Sequence, residues 1–168
     1  VTRDFNGDDD ILDSVKLDGA ECLVFFLGGM VDGTSGALRG FSKNPRDPLS
    51  IDSGSRDGPF FEFNGGIDPT TKLPVGRLVD ANSNGLPEYI DAMPSQTKLI
   101  LYFSSYGGTG YRKTDNSPRI PSCYFKDTST TQAYKADGFQ LISPGSDFEY
   151  GVGGHFDPEK NTFNSNDF

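Results

Sequence analysis

The longest uninterrupted apolar run in this sequence is Cys22 to Leu27, and its shortness constrains the fold more than any other feature. A membrane-spanning helix needs about 20 consecutive apolar residues, so this run is far too short to cross a bilayer. It follows Asp18-Gly-Ala-Glu21, which has the spacing of a capping box, and it stops at Gly28-Gly29. Together these signals predict one short buried helix of about two to three turns, with Phe25 and Phe26 in the core. Every other apolar segment reads as a strand. Lys98 to Ser104, bounded by Pro94 and Gly107-Gly108, is the clearest, and Gly138 to Ser143 is the second. Phe148 to Tyr150 is the expected hairpin partner of the second strand, and Phe61 and Phe63 share one side of a further short strand. One short helix with short strands implies an α+β architecture. At 168 residues the chain is expected to be a single domain over 1–168.

Composition then sets the loop content. With 21 Gly and 11 Pro the chain is loop-rich, while 14 Phe and 7 Tyr supply enough apolar surface for a folded core rather than a disordered segment. Met30 to Pro59 is a long polar stretch. Such a loop is expected either to be anchored by Leu38, Phe41 and Leu49 or to serve contacts with another molecule. Lys plus Arg is 15 against 24 Asp plus Glu, a formal net charge of -9. That balance argues against a nucleic-acid partner, whose phosphates require a basic footprint, and suits divalent cations.

One motif implies a specific chemistry. Asp80 to Asp91, DANSNGLPEYID, counted as a twelve-residue loop, places Asp80 at position 1, Asn82 at 3, Asn84 at 5, Gly85 at 6, Leu86 at 7, Glu88 at 9 and Asp91 at 12. This is the ligand spacing of an EF-hand-type calcium loop, in which alternate side-chain oxygens and the position 7 carbonyl converge on one hard cation. Gly at position 6 permits the sharp turn. Asp91 stands where an EF-hand has a bidentate Glu, as in dockerin and thrombospondin-type calcium loops, which the segment resembles. Two Asn ligands also reduce the charge, so the expected affinity is weak, on the order of 10⁻⁴ to 10⁻³ M. The competing reading is an ordinary turn of Asp, Asn and Gly that binds nothing.

A second acidic stretch opens the chain, with Asp4, Asp8, Asp9, Asp10 and Asp13. Aligned as a calcium loop it offers Asp4, Asn6 and Asp8, with Asp10 as a further candidate ligand, although Gly7 comes one place early and Val15 occupies position 12. The alternative is a solvated acidic terminus. Cys22 and Cys123 fit no zinc spacing, and read either as one disulfide or as buried thiols. Tyr106, Tyr111 and Tyr124 either present rings to a glycan or pin their own loops. Catalytic chemistry has no motif here: the sole histidine, His155, lies in a Gly-rich loop without a nucleophile motif, and phosphate-cradling loops are missing. The expectation is a non-enzyme.

Three stretches together resemble the globular part of type II secretion pseudopilins, within the type IV pilin-like family, and in particular a planctomycete type. They are AECLVFFLGGM with the later GFSKNPRDP, the central DANSNGLPEYIDAM, and FQLISPGSDFEYGVGGHFDPE. In that family a strand ending in a Ser-x-Gly-x-Asp-Gly turn enters a calcium loop that closes on a further Asp. Ser143, Gly145 and Asp147 match the turn, Phe148 replaces its Gly, and the resemblance makes Asp147 and Asp167 candidate ligands. It implies a pilin-like head with a short helix packed on a small antiparallel sheet, calcium-stabilised and loop-rich. Its expected site is periplasmic or extracellular, and its partners are other pilin-like subunits in a homo-oligomer or filament. Contact with the membrane would run only through the family's hydrophobic N-terminal helix, which is absent from this sequence. The alternative function is a calcium-dependent extracellular module binding a glycan or protein.

Overall fold

A computed structural model of the chain describes residues 16–32, 34–51, 54–120 and 122–156. It is α+β, with one short helix and several two-stranded sheets among the described residues. The chain divides into two compact units, the first comprising Val1–Leu17 and Glu21–Ile90, the second Asp18–Ala20 and Asp91–Phe168.

The first unit holds most of the helix α1, Gly19–Gly28, which ends where its two glycines predict. Val24 and Leu23 are buried, whereas Phe26 is 58% exposed, so only part of the expected aromatic pair faces inward. Successive helical residues point about 100° apart, and Phe25 and Phe26 cannot share one buried face. Phe25 instead meets Phe26 and Phe41 edge to face, at centroid distances of 5.3 and 5.4 Å.

The long segment after the helix is tied down rather than loose. Isolated bridges join Gly29 to Gly40 and Val31 to Leu38, and the antiparallel pair β1 (Phe41–Ser42) and β2 (Arg56–Asp57) follows. Arg56 acts as a clamp: its guanidinium donates to the carbonyls of Arg39 (2.9 Å), Gly40 (3.0 Å) and Ser50 (2.8 Å). Gly40 has φ +67, and a Cβ there would lie 1.9 Å from the Asp57 carbonyl oxygen, so this crossing admits only glycine.

Two more antiparallel pairs complete the unit. They are β3 (Gly65–Ile67) with β4 (Pro74–Gly76), and β5 (Leu78–Val79) with β6 (Glu88–Tyr89). Phe61 and Phe63 do share a side, but on bent backbone rather than a strand. The Phe60 amide donates to Leu27, which leaves no ladder to extend, and the rings gather on Tyr89 instead, with Phe63 4.9 Å away.

The second unit is built on β7 (Leu101–Ser104) and β9 (Phe139–Ile142), paired antiparallel with Leu101 opposite Ile142. β9 therefore takes β7 as its partner rather than Phe148 to Tyr150. The chain after β9 turns back on itself, with the Glu149 amide donating to Pro144 O at 3.1 Å. Leu101, Phe103 and Ile142 fill the buried side with Leu99, Ile120 and Cys123. A short parallel pair, β8 (Tyr124–Phe125) with β10 (Gly154–His155), lies in the same unit. The Gln140 side chain behaves like a segment of strand: its amide accepts from Tyr124 N at 2.9 Å and donates to Tyr124 O at 2.9 Å and Tyr134 O at 2.8 Å. Cys22 and Cys123 are both thiols, and burial pushes the Cys123 thiol up to about 11. Among the described residues no helix is long and apolar enough to cross a membrane.

Candidate metal centre

In the first unit the loop from Asp80 to Leu86 joins β5 to β6, and its side-chain oxygens turn inward onto its own amides. Asp80 accepts from Asn84 N (3.0 Å) and Gly85 N (2.9 Å), Asn82 Oδ1 accepts from Asn84 N (3.2 Å), and Asn84 Oδ1 accepts from Leu86 N (2.9 Å). Gly85 makes this tight winding possible with φ +85, the left-handed value that its place at position 6 predicts. Leu86 is buried and anchors the far end of the loop.

Two carboxylates lie against this loop: Glu88, which occupies its position 9, and Glu21, which the loop spacing does not include. Glu88, on β6, is fully buried, and its Oε2 accepts from Ala81 N at 2.5 Å. Glu21, on α1, is 1% exposed, and its Oε1 accepts from Asn82 Nδ2 (2.7 Å) and Asn84 Nδ2 (2.6 Å). A carboxylate oxygen of Glu21 and one of Glu88 lie within 4.8 Å of each other. An acidic pair of this kind could hold a metal ion, and the surrounding donors are hard oxygens of the type that Ca²⁺ or Mg²⁺ accepts.

The remaining candidate ligands fall elsewhere. Asp91 belongs to the second unit, where its carboxylate accepts from the Ser143 hydroxyl and from Met93 N at 3.0 Å. Asp147 lies in the same unit and accepts from Glu149 N at 2.9 Å. The Ser143 hydroxyl also accepts from Gly145 N at 3.0 Å, so the Ser-x-Gly-x-Asp segment forms a closed turn. Asp4, Asn6, Asp8, Asp10 and Asp167 lie outside the described residues.

Sequence reasoning missed Glu21 as a site residue, because its spacing from Asp18 reads as a helix cap. Its partners in the loop are 61 and 63 positions away, and no local pattern reports such a contact. Glu88 did carry a signal, its place at position 9 of the loop. The tyrosines are used structurally. Tyr111, Tyr124, Tyr134 and Tyr150 donate their hydroxyls to the carbonyls of Lys135 (2.5 Å), Tyr150 (3.0 Å), Phe156 (3.0 Å) and Leu99 (2.8 Å). Each such bond fixes a loop to its own unit. His155 is exposed on β10.

Comparison of the chain with protein-family models, with curated proteins and with solved structures finds no match.

Proposed function

We propose that this chain is a non-enzymatic, exported structural subunit of the pilin-like type, whose first unit is held together by calcium. The carrying observation is the buried Glu21 and Glu88 pair beside a loop of EF-hand-like spacing. Calcium would take oxygens from Asp80, Asn82, Asn84 and the Leu86 carbonyl, with Glu21 or Glu88 as the outer carboxylate. Its role there is structural: the ion binds the folded state and adds its binding energy to stability. Assembly with other pilin-like subunits in the periplasm or outside the cell follows from the sequence resemblance. The glycan-binding alternative draws less support, since the hydroxyls of Tyr111 and Tyr124 already bind main-chain carbonyls and that of Tyr106 the Asp115 carboxylate.

The test is a pair of melting curves, one in excess chelator and one in calcium. For an affinity of 10⁻⁴ to 10⁻³ M, ~10 mM calcium adds about 1 to 3 kcal/mol. In a chain of this size that raises the Tm by roughly 3 to 10 °C. Curves that overlay remove calcium from the proposal. Filament assembly is tested apart from calcium, by cross-linking the full-length protein in its native cells, where a ladder of subunits is expected and a purely monomeric band overturns the pilin-like reading.

A further inference from the structure

The β7 and β9 pair of the second unit has two outer edges, and its register shows how each is used. Leu101 lies opposite Ile142, and just past the last paired residues the Ser105 amide donates to Gly138 O at 3.0 Å. Opposed residues of an antiparallel ladder alternate between pairs that exchange both hydrogen bonds and pairs that exchange none. Leu101, Phe103 and Ser105 therefore bond across to Ile142, Gln140 and Gly138, while the main-chain groups of Tyr102 on β7, and of Phe139 and Leu141 on β9, point outward. The β7 edge is closed at Tyr102. Asn116 Nδ2 donates to its carbonyl at 2.7 Å, and Gly19 packs so near that a Cβ there would lie 2.1 Å from the same oxygen. On the β9 edge, no described residue bonds to the outward N–H and C=O of Phe139 or Leu141. Their side chains share one face and are 54% and 51% exposed.

Open strand edges are ordinarily blunted by a charge, a proline or a bulge, and the regular run Gly138 to Ser143, GFQLIS, has none of these. In a chain of net charge -9, this uncharged edge lets two copies meet without opposing carboxylates. We infer that the β9 edge pairs with the same edge of a second copy, antiparallel about a twofold axis at Gln140. In that register Phe139 of each copy faces Leu141 of the other, and both pairs exchange their outward hydrogen bonds. The two apolar side chains meet across the seam beside Tyr102, whose ring lies 5.9 Å from that of Phe139. Gln140 falls on the other face, where its amide is already committed to Tyr124 and Tyr134. Shifting the register by two residues opposes Leu141 to Asp137, or Phe139 to Ser143, and loses the apolar match. The seam is short, well below the roughly 1,200 Å² of total area that a standard stable interface buries. A dissociation constant on the order of 10⁻³ M is therefore expected, a contact that acts where copies are held close together. Neither the calcium centre of the first unit nor pilin-like assembly is required for it.

A dilution series of the full chain, followed by amide NMR downward from about 2 mM, tests the pairing. Amide exchange at Phe139 and Leu141 is expected to slow as concentration rises, while exchange at Gln140 and Ile142, whose amides already bond to β7, stays unchanged. In a sample mixing labelled and unlabelled chains, intermolecular NOEs should join the Phe139 ring of one copy to the Leu141 methyls of the other. Leu141→Lys places two ammonium groups on the seam and should weaken association at least roughly tenfold. No concentration dependence, changes centred on other residues, or undiminished association of the variant overturns the inference. If Leu141→Lys does not fold, the parent still decides it: exchange that slows equally from Phe139 to Ile142, or NOEs that join Phe139 to Phe139, excludes this edge-to-edge register.

Discussion

Asp32 organises a turn with one carboxylate. It accepts from Thr34 N (2.9 Å), Ser35 N (2.6 Å) and the Ser35 hydroxyl (3.0 Å), and pairs with Arg39. Asp68 and Asp127 repeat the arrangement, each followed at short range by Thr or Ser donors. The donors lower all three pKa values. For Asp32 the Ser35 amide is the largest cause, followed by the Ser35 hydroxyl, and the pKa falls from its ordinary 3.8 to about 2. A depressed folded-state pKa stabilises above the unfolded value and is lost as pH falls through the folded one. Asp32→Ala is therefore expected to lower the Tm at pH 7, and the difference from the parent should close between about pH 4 and pH 2. A difference that persists unchanged at pH 2 would assign the effect to packing. These turns are legible in the sequence, since Asp followed by Thr or Ser two residues on is an Asx-turn signature.

Among the elements, short strands depend on side chains for the hydrogen bonds their ladders lack. Arg56 stitches three carbonyls of the segment 39–50, and Arg56→Ala leaves them without that donor. A cost of about 1 to 3 kcal/mol is expected, together with faster amide exchange for Ser42 and Lys43, whose ladder the clamp supports; exchange unchanged there would mean the loop is held by its bridges alone. Gln140→Ala removes both bonds to Tyr124 and the one to Tyr134, with an expected loss of about 1 to 3 kcal/mol. Gln140→Glu keeps the acceptor for Tyr124 N but sets a carboxylate oxygen against the Tyr124 and Tyr134 carbonyls, so chemical denaturation at pH 7 should place it no higher than the alanine variant. The helix and the cores of β7 and β9 were readable from apolar runs and glycine stops. The partner of β9 was not: alternation shows that a strand has a buried face, while pairing is decided by which other strand offers the matching face. Leu101 and Ile142 supply that match.

For the whole molecule, the consequence of two compact units is that the ligands of the proposed calcium centre all come from one of them. Glu21, Glu88 and the loop from Asp80 to Leu86 all belong to the first unit. Calcium is therefore expected to slow amide exchange over residues 78–89, and Glu88→Gln, which retains an acceptor for Ala81 N, should abolish both that protection and the calcium-induced rise in Tm. An undiminished rise in the variant would place the ion elsewhere, for instance at one of the other acidic stretches. By itself the sequence determined the short helix over 19–28, the two best strands, the Gly85 turn and the acidic balance, because each depends on residues within a few positions of one another. Tertiary structure alone decided that β9 pairs with β7, that Arg56 and Gln140 replace missing ladders, and that Glu21 faces a loop some sixty positions away. Those contacts rest on closing long loops so that buried polar groups find partners, and loop closure leaves no periodic trace in the chain.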